Sequence, residues 1–170
     1  MKIAVIGYSG AGKSTMARQL GEIYNIEVLY LDRVQFEPNW KERKTETAKA
    51  MVEDFMQNNN WIIDGNYIAF YQERRLAEAD LIIFFNFSKY ICLWQAFRRY
   101  RSFKNKTRFD VGSGCIEKMD MKFIKWILFD GRTHKKKKHY DDIIKAYYQK
   151  VVVLRSRRQV TKFLMILQTS

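Results

Sequence analysis

The chain is short of the residues that cross-link, punctuate or anchor a protein. Its two cysteines, Cys92 and Cys115, lack metal-ligand spacing and read as reduced thiols of a cytoplasmic protein. Its two histidines, His134 and His139, lie five apart in HKKKKH without acidic company, which argues against a metal site there. No apolar run is long enough to span a bilayer, and the start lacks a charged segment followed by an apolar one, so neither a membrane span nor a signal peptide is expected. The single proline, Pro38, and the absence of a Gly/Ser linker or internal repeat leave no visible division, so residues 1–170 are expected to form one domain.

What is abundant is apolar and basic. Hydrophobic residues make up 47% of the 170 and aromatics 15%, enough for a sizeable core. The net charge of +13 is unevenly spread. Residues 1–85 hold ten Lys/Arg against twelve Asp/Glu, whereas 86–170 hold twenty-one against six. A polyanionic partner for the second half follows: nucleotide phosphates, nucleic acid or another acidic surface. HKKKKH reads as a charged helix start or a polyanion contact.

Short β-rich runs alternate with helical patterns. Strands are expected at 2–6, 27–31, 61–63, 81–87 and 151–155, and helices at 14–24, 44–57, 69–79, 89–103, 117–129, 135–150 and 158–167. Five strands separated by helices imply an α/β fold with a parallel sheet covered on both faces.

Between the first strand and the first helix, Gly7, Gly12, Lys13 and Ser14 complete G-x-x-x-x-G-K-[ST]. Glycines let the backbone turn its N–H groups onto phosphate oxygens at a helix start. Gly7, Ser9, Gly10, Ala11, Gly12, Lys13, Ser14 and Thr15 are therefore the expected nucleotide-binding loop, with Lys13 on the β- and γ-phosphates and the Ser14 hydroxyl on Mg²⁺. The chain carries no Asn-Lys-x-Asp and no Leu-Ser-Gly-Gly-Gln, and it is too short for a two-lobed motor. A compact ATP-dependent kinase for a small molecule remains.

Asp32 and Asp64 each fall at the carboxyl end of a strand, where open α/β sheets place ligands. There Asp32 can take the acceptor's proton or hold water on Mg²⁺, and Asp64 can reach the metal through water. The bland alternatives are a helix cap for Asp32 and a turn-forming Asp-Gly for Asp64. Arg33, Phe36, Trp40 and Arg43 follow Asp32 and can bind an aromatic acceptor or simply cover core. Arg98, Arg99, Arg101, Lys104, Lys106 and Arg108 bracket a polar stretch suited to a lid that neutralises a phosphoryl transition state. They equally suit a solvated face or phosphate contacts to DNA. Arg155 and Arg157, after the last strand, lie where a nucleotide base can rest.

The blocks IGYSGAGKST, LDRVQFEPNW, WIIDGNY, RRLAEADLIIF, CLWQAFRRY, KTRFDVGSGC, KWILF and VVVLRSRRQVTKFL resemble, in that order, the DNA topology modulation proteins, which look like a branch of the adenylate and shikimate kinase group. The resemblance implies a P-loop NTPase with sheet order 2-3-1-4-5 and an arginine-rich lid at about 100–135. It also implies base and phosphate contacts by Arg99 and Arg108, an acceptor or metal role for Asp32, and Asp64 as the second carboxylate. Where related monophosphate kinases carry Asp-Gly-Phe-Pro-Arg, this chain has DGNYI and so lacks the usual anchor for a monophosphate acceptor. Two readings follow. One is ATP- and Mg²⁺-dependent phosphoryl transfer to a small molecule; the other is a nucleotide-binding regulator that associates with DNA or RNA through its basic half.

Overall fold

The computed structural model describes every residue except 105, 106, 113, 169 and 170, so Lys106, expected among the lid cations, lies outside the described residues. The main sheet has five parallel strands: β1 (Lys2–Gly7), β2 (Val28–Tyr30), β5 (Trp61–Asp64), β6 (Leu81–Phe85) and β7 (Val151–Leu154). They lie in the order β2-β5-β1-β6-β7, which is 2-3-1-4-5 when the sheet strands are counted along the chain. β1 sits in the centre, with Ile3, Ala4, Val5 and Ile6 fully buried. Such unbroken apolar runs are what a sheet covered on both faces requires.

The crossovers carry α1 (Lys13–Tyr24), α2 (Leu31–Gln35), α3 (Thr45–Met56), α4 (Gln72–Glu78), α5 (Lys89–Phe103), α6 (Met121–Leu128) and α7 (His134–Ala146), and α8 (Arg157–Gln168) closes the chain. α1 faces the core with Met16, Ala17 and Leu20, and α3 with Ala48, Val52 and Met56. Both sets follow helical spacing.

Several boundaries differ from expectation, α4 starting at Gln72 rather than 69, β6 ending at Phe85 rather than 87 and α7 ending at Ala146 rather than 150, and three differences bear on the site. The second strand stops at Tyr30, and Asp32 lies in the first turn of α2, because one helical turn buries both Leu31 and Val34. The stretch after it holds a two-residue hairpin, β3 (Phe36–Glu37) and β4 (Lys41–Glu42), around a 3-10 turn at Pro38–Trp40. α6 starts at Met121 rather than 117, because Asp120 caps it by accepting from Phe123 N at 2.8 Å.

Candidate active site

The phosphate loop joins β1 to α1. Gly7 has φ 137°, and a Cβ there would stand 2.4 Å from the Phe85 carbonyl of the neighbouring strand, so only glycine fits. Gly12 is the N-cap of α1 at φ 96°, with the Arg157 guanidinium over it, 3.2 Å from where a Cβ would lie. The uncapped amides and the positive end of the helix face the same opening. Lys13 Nζ donates to Tyr8 O at 3.1 Å, folding the ammonium across the loop. Ser14 starts the helix beside Asp64, Thr15 is exposed, and Ala11 is fully buried.

Asp64 ends β5 at 6% exposure, and its Oδ1 has no hydrogen-bond partner. Burial pushes its pKa up to about 7; the Lys13 charge and a Ser14 hydroxyl hydrogen bond pull it down, while Asp32 and Asp110 push it further up. Asp32 accepts a hydrogen bond on Oδ1 from the Tyr67 hydroxyl at 2.8 Å. The structure therefore brings Lys13, Ser14, Asp32 and Asp64 to one end of the sheet.

The aromatics expected to bind an acceptor pack against each other in the hairpin. Phe36 and Trp40 meet edge-on at 5.3 Å, and Arg43 staples the hairpin by donating to Val34 O at 2.9 Å and pairing with Glu37 at 3.5 Å. The segment after α5 closes onto this hairpin. Trp40 Nε1 donates to Ile116 O at 2.8 Å, and Cys115 Sγ to Glu37 O at 3.2 Å.

Arg99 and Arg108 lie in that segment's charge network. Arg99 Nε donates to Glu117 Oε1 at 2.8 Å; Arg108 Nη1 donates to Asp110 Oδ2 at 2.9 Å, and Arg108 Nε pairs with Glu117 Oε2 at 2.7 Å. After β7, Arg155 and Arg157 are both exposed: Arg157 donates to Gln95 Oε1 and covers Gly12, and Arg155 donates its backbone N to Gln159 Oε1 at 2.6 Å. Burial lowers the Arg157 pKa first, and the neighbouring Arg98 charge lowers it further.

Several site residues escaped the sequence reading. Asn66 clasps Gly7 through both of its amide atoms, with Gly7 N donating to Oδ1 at 2.9 Å and Nδ2 donating to Gly7 O at 2.5 Å. Trp126 Nε1 donates to Ser9 Oγ at 3.2 Å. Arg132 lies 3.7 Å from the Tyr8 ring centre and donates to Phe87 O at 2.8 Å. Asn66 and Tyr67 were visible as part of WIIDGNY, but their contacts depend on strand neighbours that only the sheet order supplies. Trp126 was visible only as part of KWILF, and nothing local marks Arg132.

This sheet order and phosphate loop define a P-loop kinase-type fold. Across its full length the chain is similar to the structure of deoxyadenosine kinase from M. mycoides with bound dATP, at TM-score 0.55 and 14% identity, covering 100% of both chains. It is also similar to shikimate kinase from Bacteroides thetaiotaomicron, at TM-score 0.50 and 15% identity, covering 99% of this chain and 97% of that one. These likenesses establish the fold. No family model and no curated protein matches the sequence. Among the described residues no helix is long and apolar enough to cross a membrane.

Proposed function

We propose that residues 1–170 form one ATP-dependent kinase, with a lid at about 100–135, that phosphorylates a small-molecule alcohol. The observation that carries this is the buried Asp64 carboxylate, with one oxygen unpartnered, beside Ser14 at the end of a glycine loop and close to Asp32. Holding Mg²⁺ on a bound nucleotide accounts for Asp64 alone; Asp32, which accepts from the Tyr67 hydroxyl, is the further carboxylate that transfer to an acceptor hydroxyl calls for.

The loop from Gly7 to Thr15 holds the triphosphate with backbone amides, and Lys13 leaves Tyr8 O for the β- and γ-phosphates. Arg155 and Arg157 flank the base. Hard oxygen donors suit Mg²⁺, and Ser14 Oγ with the orphaned Asp64 oxygen, through water, fits that ion. Mg²⁺ would neutralise charge between the phosphates. Asp32, oriented by Tyr67, accepts the proton of the acceptor hydroxyl as that oxygen bonds to the γ-phosphorus and the bond to ADP breaks. Phe36, Trp40 and Arg43 frame the acceptor. Arg99 and Arg108 reach the transferring group by exchanging Glu117 and Asp110 for phosphate oxygens. In this reading the chain is a kinase branch of the DNA topology modulation proteins that its sequence blocks resemble, working in the cytoplasm.

The test is ATP turnover with Mg²⁺ against nucleosides, nucleoside monophosphates, sugars and plasmid DNA, with products identified by mass. Transfer to one small acceptor supports the kinase. Stimulation by DNA alone, or binding without transfer, supports a nucleotide-dependent regulator instead. Asp32→Asn should leave ATP binding intact and cut transfer by about 10²–10⁴-fold; normal transfer by this variant removes Asp32 from the chemistry.

A further inference from the structure

We propose that the outer face of α5 is a stacking platform for single-stranded RNA, on which Tyr90, Trp94 and Phe97 receive bases while Lys89, Arg98 and Arg101 meet the phosphates between them. The inference goes beyond the kinase reading and does not depend on it.

α5 has two unlike sides. Cys92, Gln95 and Ala96 are buried, and the Cys92 carbonyl lies 2.5 Å from where a Cβ on Gly10 would stand, so the phosphate loop packs on this side. The opposite side is apolar too, yet it is uncovered: Tyr90 is 70% exposed, Trp94 56% and Phe97 48%. At the α-helical turn, Tyr90, Trp94, Phe97 and Arg101 fall on one strip about 60° wide, with Arg98 and Ile91 along its edge. Single exposed rings are ordinary on a protein surface, but a line of them on one helix face marks a contact site.

The charges around the strip are of one sign. Residues 81–109 contain seven Lys/Arg and no Asp or Glu. Lys89 lies between two rings, 5.4 Å from the centre of Tyr90 and 5.2 Å from that of the exposed Phe129. The Arg98 guanidinium is 4.7 Å from the Trp94 ring centre, and Arg101 is exposed. Asp130, which follows Phe129, pairs with Lys125 at 3.8 Å. A second copy of this chain would bring the same cations against this face, and like charges across an interface are disfavoured. The complementary partner is an anion with flat apolar faces.

A nucleic-acid strand carries both, charged phosphates and bases with π-faces. The helical rise spaces Tyr90 from Trp94 by about 6 Å and Trp94 from Phe97 by about 4.5 Å along the axis, wider than the ~3.4 Å between stacked bases of a duplex strand. Bases drawn apart to that spacing are unpaired ones, since in a duplex each face is already covered by a neighbour. RNA presents such bases in its loops and ends, where they stack on aromatic rings and guanidinium planes. Rings interleaved with cations along one line meet base and phosphate in turn.

The experiment measures fluorescence anisotropy of a labelled uridine strand of about 20 nucleotides at about 0.15 M salt. It is compared with an RNA duplex and with an abasic strand of the same length, which keeps the phosphates and lacks the bases. The uridine strand should bind about tenfold or more tightly than either. Trp94→Ala should weaken strand binding about tenfold and leave abasic binding within about twofold, whereas Trp94→Phe, which keeps a ring, should stay within about threefold of wild type. Affinity for a non-hydrolysable ATP analogue should hold within about twofold in both variants, because the loop packs on the other side of α5; if Trp94→Ala loses it, the wild-type comparison of uridine and abasic strands decides alone. Equal binding of those two strands, a preference for duplex, or unchanged strand affinity in Trp94→Ala overturns the inference. So does a deoxyuridine strand that binds tenfold more tightly than the uridine one. Failure of the strand to bind overturns it as well, whether the protein instead associates with phosphatidylserine vesicles or with itself through Trp94.

Discussion

In the proposed site Asp64 serves as a carboxylate, yet the fold buries it at the end of the central sheet. With its pKa raised from the ordinary acid range to about 7, folded protein without nucleotide holds the proton that the unfolded chain releases near pH 4. The sign follows: this group's contribution to stability is fully present below about pH 4 and is lost as pH rises through about 7. The melting temperature of nucleotide-free protein should therefore fall between about pH 4 and pH 7, and Asp64→Asn should flatten that fall. Mg²⁺-dependent nucleotide binding should strengthen over the same window, because the ionised form is the one the cation needs. Nucleotide affinity that is flat from pH 6 to 8 would remove Asp64 from the metal site. Arg75 presents a second single-residue problem. Its guanidinium is fully buried, has no ion pair among the described residues, and donates to the carbonyls of Phe70 at 2.7 Å, Tyr67 at 2.8 Å and Gly65 at 3.3 Å. That side chain shapes the loop presenting Asp64, Asn66 and Tyr67. Arg75→Met should strip the donors from those carbonyls and destabilise the protein by about 3 kcal/mol in denaturant unfolding.

Elements differ in how far they could be read from local pattern. α6 illustrates a strong local signal with a displaced start: the apolar run in MKFIKWIL is helical, yet Asp120 sets its first turn. Asp120→Ala should cost about 1 kcal/mol of stability by leaving the Phe123 amide uncapped. Since Trp126 on the same helix donates to Ser9, the variant should also weaken ATP binding, measured by titration; affinity unchanged from wild type would mean the helix does not brace the loop. The phosphate loop and all five sheet strands were legible because glycine spacing and buried β-runs are local facts. The β3–β4 hairpin was not, since two-residue strands carry no period, and what holds the segment is the contact of Trp40 with Ile116, 76 residues on. The same applies to the charges of the segment after α5. Arg99 and Arg108 could be recognised as a pair, but Glu117 and Asp110 as their partners follow from how the segment folds back.

At the scale of the whole molecule, the question is what the cationic half is for. Its charges fall into two sets. Arg99 and Arg108 are held by Glu117 and Asp110, while Arg132 and Arg157 lie beside the phosphate loop, bound to a carbonyl and an amide oxygen. Lys135, Lys137 and Lys138 on α7 are exposed, on the outer side of a helix whose Tyr140 and Ile143 face the core. Convergent arginines serve a nucleotide held in one place, whereas an outward run of lysines offers phosphate contacts of the kind a polymer uses. The two sets can be separated by reversing the second alone, with K135E, K137E and K138E combined, which lowers the net charge from +13 to +7. Lys136 is spared because its ammonium lies 3.6 Å from the Trp126 ring centre and donates to Asp130 O. If the chain is a small-molecule kinase, phosphoryl transfer by the triple variant at about 0.15 M salt should stay within about twofold of wild type, since charges exposed to solvent are screened within about 8 Å. Any retention on DNA at low salt should drop sharply in the same variant, with a shallower dependence on salt concentration. Loss of transfer together with loss of DNA retention would mean that the exposed lysines and the phosphate loop serve one polyanionic ligand, and the regulator would then be the better description of the molecule.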